Sequence, residues 1–196
     1  MIHKNIPVAA GLAGGSGNAA AVLIALNKLY NTELTEEELC SLGVQLGADV
    51  PYCIRGGTML ASGIGDILTP LPPLPQCTIL MVKPQLNIST AAVYSAIDSA
   101  EITERPDTNA MIDAISSGDI NAVAKGLSNV MGTVTETQHP IVRGIRKKMI
   151  KNGALGAVMS GSGPTVFGIF PDHKTAKRSH DSFAYQFKEV FIVNTI

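Results

Sequence analysis

A glycine-rich stretch near the start of the 196-residue chain is the first candidate for chemistry. It reads PVAAGLAGGSGNAA from Pro7 to Ala20, and an alanine-rich helical pattern follows it. Glycine lets a backbone adopt positive φ and approach a ligand closely. The first turn of a helix adds unpaired N–H groups and the positive end of the helix dipole. The stretch therefore predicts a loop that binds a phosphate group.

The kind of phosphate loop is narrowed by the residues around it. A Walker A loop requires a lysine, and this stretch contains none. A dinucleotide fingerprint is present in form at Gly15, Gly17 and Ala20. A second capped helix follows, however, where that fold requires a strand ending in an acidic residue. A helix start whose glycines serve only close packing remains the alternative.

Asp49 is the candidate general base. Phosphoryl transfer to an alcohol needs positioning, charge neutralisation and a group that accepts the hydroxyl proton. Asp49 lies between a helix end at Gly47 and the apolar segment VPY, where few acids belong. A turn or helix-capping role is the open alternative for it. Asp66, in SGIGDIL, is the rival carboxylate, and we interpret it as a solvated turn residue.

Three motifs in order along the chain resemble those of the GHMP kinase superfamily. The stretch from Pro7 resembles its ATP loop, LGADVPYCIRGG (46–57) its catalytic segment, and SGSGPTVFGIF (160–170) its C-terminal glycine-rich motif. The resemblance implies a two-lobed GHMP kinase fold of the α/β class, built as an α+β two-layer structure. It also implies ATP with Mg²⁺ as the cofactor and supports Asp49 as the catalytic residue.

The same resemblance assigns binding residues. ATP binding falls to the loop residues Pro7, Val8, Ala9, Ala10, Gly11, Leu12, Ala13, Gly14, Gly15, Ser16 and Gly17. The double glycine and the later motifs are most similar to the branch that phosphorylates the 2-hydroxyl of a cytidine diphosphate-linked methylerythritol, in non-mevalonate isoprenoid precursor synthesis. Substrate binding then falls to Tyr94, Gly161, Ser162 and Gly163.

Alternatives remain for these assignments. Tyr94 would stack on the cytosine, but a tyrosine on an amphipathic helix can equally belong to the core. The GSGP segment can be only a hairpin connector. Two other functions stay open: another GHMP small-molecule kinase, and a non-catalytic remnant that binds a phosphate ligand.

Two departures from the family pattern stand out. Gly17 occupies the place of the family's second loop serine, so a hydroxyl is missing there. The chain also begins just before the loop, whereas family members carry a substantial segment first. We therefore expect an incomplete N-terminal lobe. Lost strands would expose an unpaired sheet edge, so a homodimer is a further expectation. Lys4 is interpreted as a solvated surface residue.

Composition excludes several classes of partner. The chain is 45% apolar and 16% charged, with a net charge of −1 and 5% aromatic residues. That balance argues against nucleic acid and anionic membrane as partners. The three cysteines and four histidines show no metal-ligand spacing. No signal peptide or run of 18 apolar residues is seen, so a soluble, cytoplasmic protein without a bound metal site is expected.

The helices and strands that position these residues are predicted from the periodicity of apolar residues and from proline, glycine and capping residues. The proline-rich segment PLPPLPQ predicts a boundary between an N-terminal ATP-binding domain (1–75) and a C-terminal domain (76–196). Thr35 and Glu38 form a capping box. Helices are predicted at Ser16–Tyr30, from Thr35 to Gly47, and at Thr90–Ile97, Asn109–Ser116, Ile120–Met131, Pro140–Lys151 and Lys174–Phe187. Strands are predicted at Ile2–Ala10, Val50–Ile54, Thr58–Ala61, Thr78–Val82 and Val190–Thr195, with a strand–turn–strand over 153–170.

Overall fold

The computed structural model describes residues 3–100, 102 and 105–196, which group into two units. We call Ala13–Pro73 the helical unit, and Leu74–Ile196 together with the N-terminal residues through Leu12 the sheet unit. The helical unit contains α1 (Gly14–Tyr30), α2 (Glu36–Leu46), α3 (Val50–Arg55), β1 (Met59–Ser62) and β2 (Ile67–Pro70). The sheet unit contains β3 (Thr78–Lys83), α4 (Thr90–Asp98), α5 (Thr108–Ser116), α6 (Ile120–Gly126), α7 (Val130–Gln138), α8 (Pro140–Lys151), β4 (Gly156–Met159), β5 (Val166–Phe170), α9 (His173–Ala184) and β6 (Glu189–Asn194).

In the helical unit, local signals set the helix ends. The predicted capping box is confirmed: the Thr35 hydroxyl accepts from the Glu38 N–H, and the Glu38 carboxylate accepts from the Thr35 N–H. The Thr35 N–H, and then the Thr35 hydroxyl, lower the pKa of Glu38, because both donate to its ionised carboxylate. Asn31, the residue after α1, lies in the left-handed region. β1 and β2 form an antiparallel hairpin.

In the sheet unit, four antiparallel strands lie in the order β4-β5-β3-β6. Side chains alternate between the two faces of a strand, so Phe170 and Ile169 of β5 serve different cores. Phe170 packs with α8 and α9 in the larger core, and Ile169 packs with α5 and α6 in a smaller one. The larger core is built from Leu80, Val82, Val142, Ile145, Met149, Ala154, Met159, Val166, Phe170, Ala176 and Phe183.

The predicted strand at Val50–Ile54 is wrong, because these residues form α3. A five-residue apolar run cannot be assigned to helix or strand by periodicity alone. Pro51 lies in the first turn of α3, where its missing N–H leaves no helical hydrogen bond unmade. Val50 is buried, and it approaches α2 so closely that a Cβ on Gly43 would lie 2.9 Å from its Cγ1.

Two further predictions needed correction. The single helix over Ile120–Met131 is two helices, α6 and α7, because Asn129 adopts extended backbone and caps α7. The strand over Ile2–Ala10 does not form across residues 3–10, which are bends, turns and irregular backbone. Ala9 has a φ of 50°, which is incompatible with a strand.

The other predicted elements are confirmed to within a few residues, and α8 coincides with its predicted bounds. The strand–turn–strand over the third motif is β4 and β5 with their connecting loop. Within the described residues, no helix combines the length and the apolar character that a membrane span requires.

Candidate functional site

The loop between β4 and β5 is a tight turn closed by its own backbone. The Ser160 N–H donates to the Thr165 carbonyl at 2.8 Å, and the Gly163 N–H donates to the Ser160 carbonyl at 2.8 Å. Gly161 and Gly163 have φ values of 52° and 83°, which side-chain-bearing residues rarely adopt. The Gly163 N–H already donates within the turn. Gly163 therefore contributes to the conformation of the loop.

Two donors of this turn are left for a ligand. Among the residues that the structure describes, the N–H groups of Gly161 and Ser162 donate to no protein acceptor. Successive N–H groups in a glycine turn can form an anion-binding concavity. The hydroxyl of the adjoining Thr165 is buried and likewise finds no partner within the described part of the chain.

The first and third motifs touch each other inside the sheet unit. The Ser160 hydroxyl donates to the Gly11 carbonyl at 2.8 Å, and the Thr165 N–H donates to the Ala10 carbonyl at 3.4 Å. Gly11 has a φ of 68°, and a Cβ on it would lie 2.3 Å from the Ser160 carbonyl oxygen. The two glycine loops are therefore packed backbone to backbone, although 149 residues of sequence separate Gly11 from Ser160.

The second half of the N-terminal loop opens α1 in the helical unit. Ala13 precedes the helix with a φ of 49°, and its side chain makes no capping hydrogen bond. The first turn contains no acidic residue to compete for its amides. A helix start with no side-chain cap and no acidic residue in its first turn favours a negatively charged ligand, because the helix dipole is not offset there.

Gly17 lies in the first part of α1 with room for a side chain, since a Cβ there would meet no atom within 4 Å. We expect Gly17→Ala to raise the free energy of unfolding by about 0.5–1 kcal/mol, because glycine loses more backbone freedom than alanine on entering a helix. Denaturant unfolding measures the change. Gly144→Ala in α8 is the matched control, because a Cβ at Gly144 also has no neighbour within 4 Å. If Gly17→Ala lowers the free energy of unfolding and Gly144→Ala does not, the prediction is wrong.

Asp49 is held at the start of α3 with its carboxylate unused. It occupies the N-cap position, yet its side chain makes no capping hydrogen bond, and the residue is exposed. Within the described residues the carboxylate forms no hydrogen bond or ion pair. Burial, and then the charge of Asp49, raise the pKa of the Cys53 thiol one helical turn on. An exposed carboxylate free of protein partners can accept a proton from a ligand.

Asp66 differs from Asp49 in its surroundings. It lies exposed in the turn between β1 and β2, and its Oδ1 accepts from the Ile64 N–H at 3.2 Å. The interpretation of Asp66 as a solvated turn residue is confirmed.

Tyr94 lies on α4 with 52% of its surface exposed, so the core alternative for this residue is wrong. α4 starts at the C-terminal glycine loop, since the Thr90 and Ser162 hydroxyl oxygens are 2.9 Å apart. Residues four apart on a helix share a face, so Tyr94 lies on the same face of α4 as Thr90. The sheet unit thus brings together Gly11, the 160–165 loop and the start of the helix that carries Tyr94.

Sequence reasoning missed three side chains of this arrangement: Ser160, Thr90 and Asn129. Only Asn129 left a signal. Asparagine is a poor residue for a helix interior and a good one for a cap. Its place inside the predicted Ile120–Met131 helix therefore indicated a break. No group of three or more His, Cys, Asp or Glu side chains that could hold a metal ion occurs in the described ranges.

Comparisons with known proteins agree with the three motifs. The profile of GHMP kinases N terminal domain matches residues 1–57, and that of GHMP kinases C terminal matches residues 111–189. The 4-diphosphocytidyl-2-C-methyl-D-erythritol kinase of Clostridium novyi (strain NT) is 46% identical over 195 residues, covering 100% of this chain and 70% of that protein. The kinase of the same name from Alkaliphilus oremlandii (strain OhILAs) is 48% identical, covering 100% of this chain and 67% of that protein.

Solved structures extend the comparison to the fold. A crystal structure of 4-(cytidine 5'-diphospho)-2C-methyl-D-erythritol kinase matches with a TM-score of 0.83 and 31% identity, covering 98% of this chain and 68% of that one. A homoserine kinase from Cytophaga hutchinsonii matches with a TM-score of 0.82 at 17% identity, covering 98% of this chain and 68% of that one, which shows the shared fold alone. The expected GHMP kinase fold is thereby confirmed. The chain belongs to the GHMP kinase family and, within it, to the 4-diphosphocytidyl-2-C-methyl-D-erythritol kinases.

Proposed function

We propose that this chain transfers the γ-phosphoryl group of ATP to the 2-hydroxyl of 4-diphosphocytidyl-2-C-methyl-D-erythritol, giving ADP and the 2-phosphate. The observation that carries the proposal is the identity of 46% and 48% to kinases of that name over the full length of this chain. The two glycine loops support it, because each presents backbone shaped for an anion.

The ATP phosphates would be bound by the segment from Gly11 to Gly17, flanked by Pro7 to Ala10. The start of α1 suits a polyphosphate, because it has no side-chain cap and no acidic residue in its first turn. Mg²⁺ in kinase sites is held largely by phosphate oxygens with one or two protein ligands. The Ser16 hydroxyl within the loop would be one such ligand. When bound, Mg²⁺ neutralises charge on the phosphates.

The resemblance to the kinase family suggests which residues would bind the substrate and which would accept its proton. The Gly161 and Ser162 amides would bind its diphosphate, with Gly163 shaping the turn. Tyr94, exposed on α4, would stack on the cytosine ring. Asp49 would accept the proton of the 2-hydroxyl as that oxygen attacks phosphorus. We also propose the boundary between ATP-binding and C-terminal domains at residues 75 and 76.

A substrate panel tests the proposal directly. The chain is incubated with ATP and, separately, with 4-diphosphocytidyl-2-C-methyl-D-erythritol, homoserine, mevalonate and galactose, and ADP and the phosphorylated product are quantified. We expect turnover with the cytidine diphosphate compound and at least about tenfold lower kcat/KM with the others. A preference for another alcohol would assign a different GHMP kinase activity. If calorimetry detects no ATP binding and no substrate turns over, the kinase proposal is wrong.

A further inference from the structure

Asn129 connects the start of α7 to the C-terminal glycine loop. Its side-chain Nδ2 donates to the Met159 carbonyl at 2.7 Å and to the Gly161 carbonyl at 2.8 Å. Its Oδ1 accepts from the Met131 N–H at 2.9 Å and so caps α7. The amide thus uses both of its donors on the loop and an acceptor on the helix.

The two carbonyls that Asn129 bonds lie at the two ends of the segment from Met159 to Gly161, where β4 passes into the loop. Met159 is the last residue of β4 and is buried, whereas Gly161 is exposed and follows the end of the strand. One planar amide that bonds both carbonyls fixes the direction of the backbone between them. That backbone leads into the Gly161 and Ser162 N–H groups, which have no acceptor in the described part of the protein.

We propose that Asn129 is a positioning residue, which holds the Gly161 and Ser162 amides in the geometry that binds the substrate's diphosphate. The proposal rests on the proposed function for the identity of that ligand. Asn129 does not itself touch the reacting atoms. Its effect passes through the loop, because carbonyls released from its amide would let the turn sample other conformations and so weaken the preorganised donors.

Two substitutions separate the capping role of Asn129 from its hold on the loop. Asn129→Ser keeps an oxygen that can cap α7, because serine and asparagine are comparable caps. It removes both donors of the side-chain amide. Asn129→Asp also keeps the cap, but it places a carboxylate oxygen against the two carbonyl oxygens in place of the amide donors. We therefore expect the aspartate variant to disturb the loop more than the serine variant.

The experiment combines hydrogen exchange with kinetics on the whole chain. For Asn129→Ser we expect the hydrogen-bonded amides of Ser160, Gly163 and Thr165 to exchange at least about tenfold faster, with a denaturant midpoint close to that of the unchanged chain. We expect KM for 4-diphosphocytidyl-2-C-methyl-D-erythritol to rise about tenfold while kcat and KM for ATP stay within about threefold, because uniform substrate binding is lost. Calorimetry with the same compound should show a matching rise in its dissociation constant.

Asp119→Ser is the matched control, because Asp119 caps α6 in the same unit through the N–H groups of Asn121 and Ala122. Exchange at the amides of Ser160, Gly163 and Thr165 should not change in that variant. If exchange is unaltered in both Asn129 variants, Asn129 does not hold the loop. If exchange is faster but the affinity for the substrate is unaltered, Asn129 does not position the amides that bind it. A chain that neither turns over nor binds the compound fails the proposed function, and the exchange measurement then decides separately whether Asn129 holds the loop.

Discussion

Asp49→Asn is expected to lower kcat by at least about 100-fold, because a positioned general base contributes about 10²–10⁴-fold to proton transfer. The substitution keeps the size and shape of the side chain and removes its ability to accept the hydroxyl proton. Because the Asp49 side chain makes no capping hydrogen bond, the substitution breaks no hydrogen bond at the start of α3. A loss of turnover at an unchanged denaturant midpoint would therefore report on the chemistry. Steady-state kinetics with 4-diphosphocytidyl-2-C-methyl-D-erythritol measures it.

Asp66→Asn is the control for that prediction. Asp66 is also an exposed carboxylate of the helical unit, but its Oδ1 accepts from a backbone N–H of its own turn. An asparagine oxygen can accept the same hydrogen bond, so we expect kcat to stay within about threefold. If Asp49→Asn also stays within about threefold, Asp49 is not the base. If Asp66→Asn alone abolishes turnover, the roles of the two carboxylates have been exchanged.

Gly11→Ala is expected to lower the free energy of unfolding by about 2–4 kcal/mol and to abolish measurable ATP binding. Its Cβ would lie 2.3 Å from the Ser160 carbonyl oxygen and 2.8 Å from the Gly163 nitrogen, and both are backbone atoms of a closed turn. The left-handed backbone accounts for about 1–2 kcal/mol of that loss, because an L-residue is strained in this conformation. The two glycine loops must therefore move apart. Denaturant unfolding and calorimetry with ATP provide the measurements.

Gly118→Ala isolates the backbone contribution to that loss. Gly118 belongs to the same unit and has a φ of 70°, but its Cβ would lie 3.7 Å from the nearest atom, which is ordinary van der Waals contact. We expect Gly118→Ala to cost only the strain of the left-handed backbone and to leave ATP binding unchanged. Equal destabilisation by the two substitutions would mean that close packing of the glycine loops contributes nothing.

The sequence was sufficient where a structural signal is local. The capping box at Thr35 and Glu38 and the bounds of α8 depend on residues within a few positions of each other, and the structure confirms them. The three motifs, read in order, were also enough to identify the family that the comparisons then showed. Asp49 and the ATP-loop residues remain predictions until the variants are measured.

Only the tertiary structure decided features that depend on distant partners. Val50–Ile54 is helical because Val50 packs against α2, and a short apolar run carries no record of that partner. Asn129 breaks a continuous helical pattern while its amide bonds carbonyls about 30 residues away. The hydrogen bond from Ser160 to Gly11 spans 149 residues. Periodicity and caps report on neighbours in sequence, whereas the packing of the two glycine loops is set by which backbones the folded chain brings together.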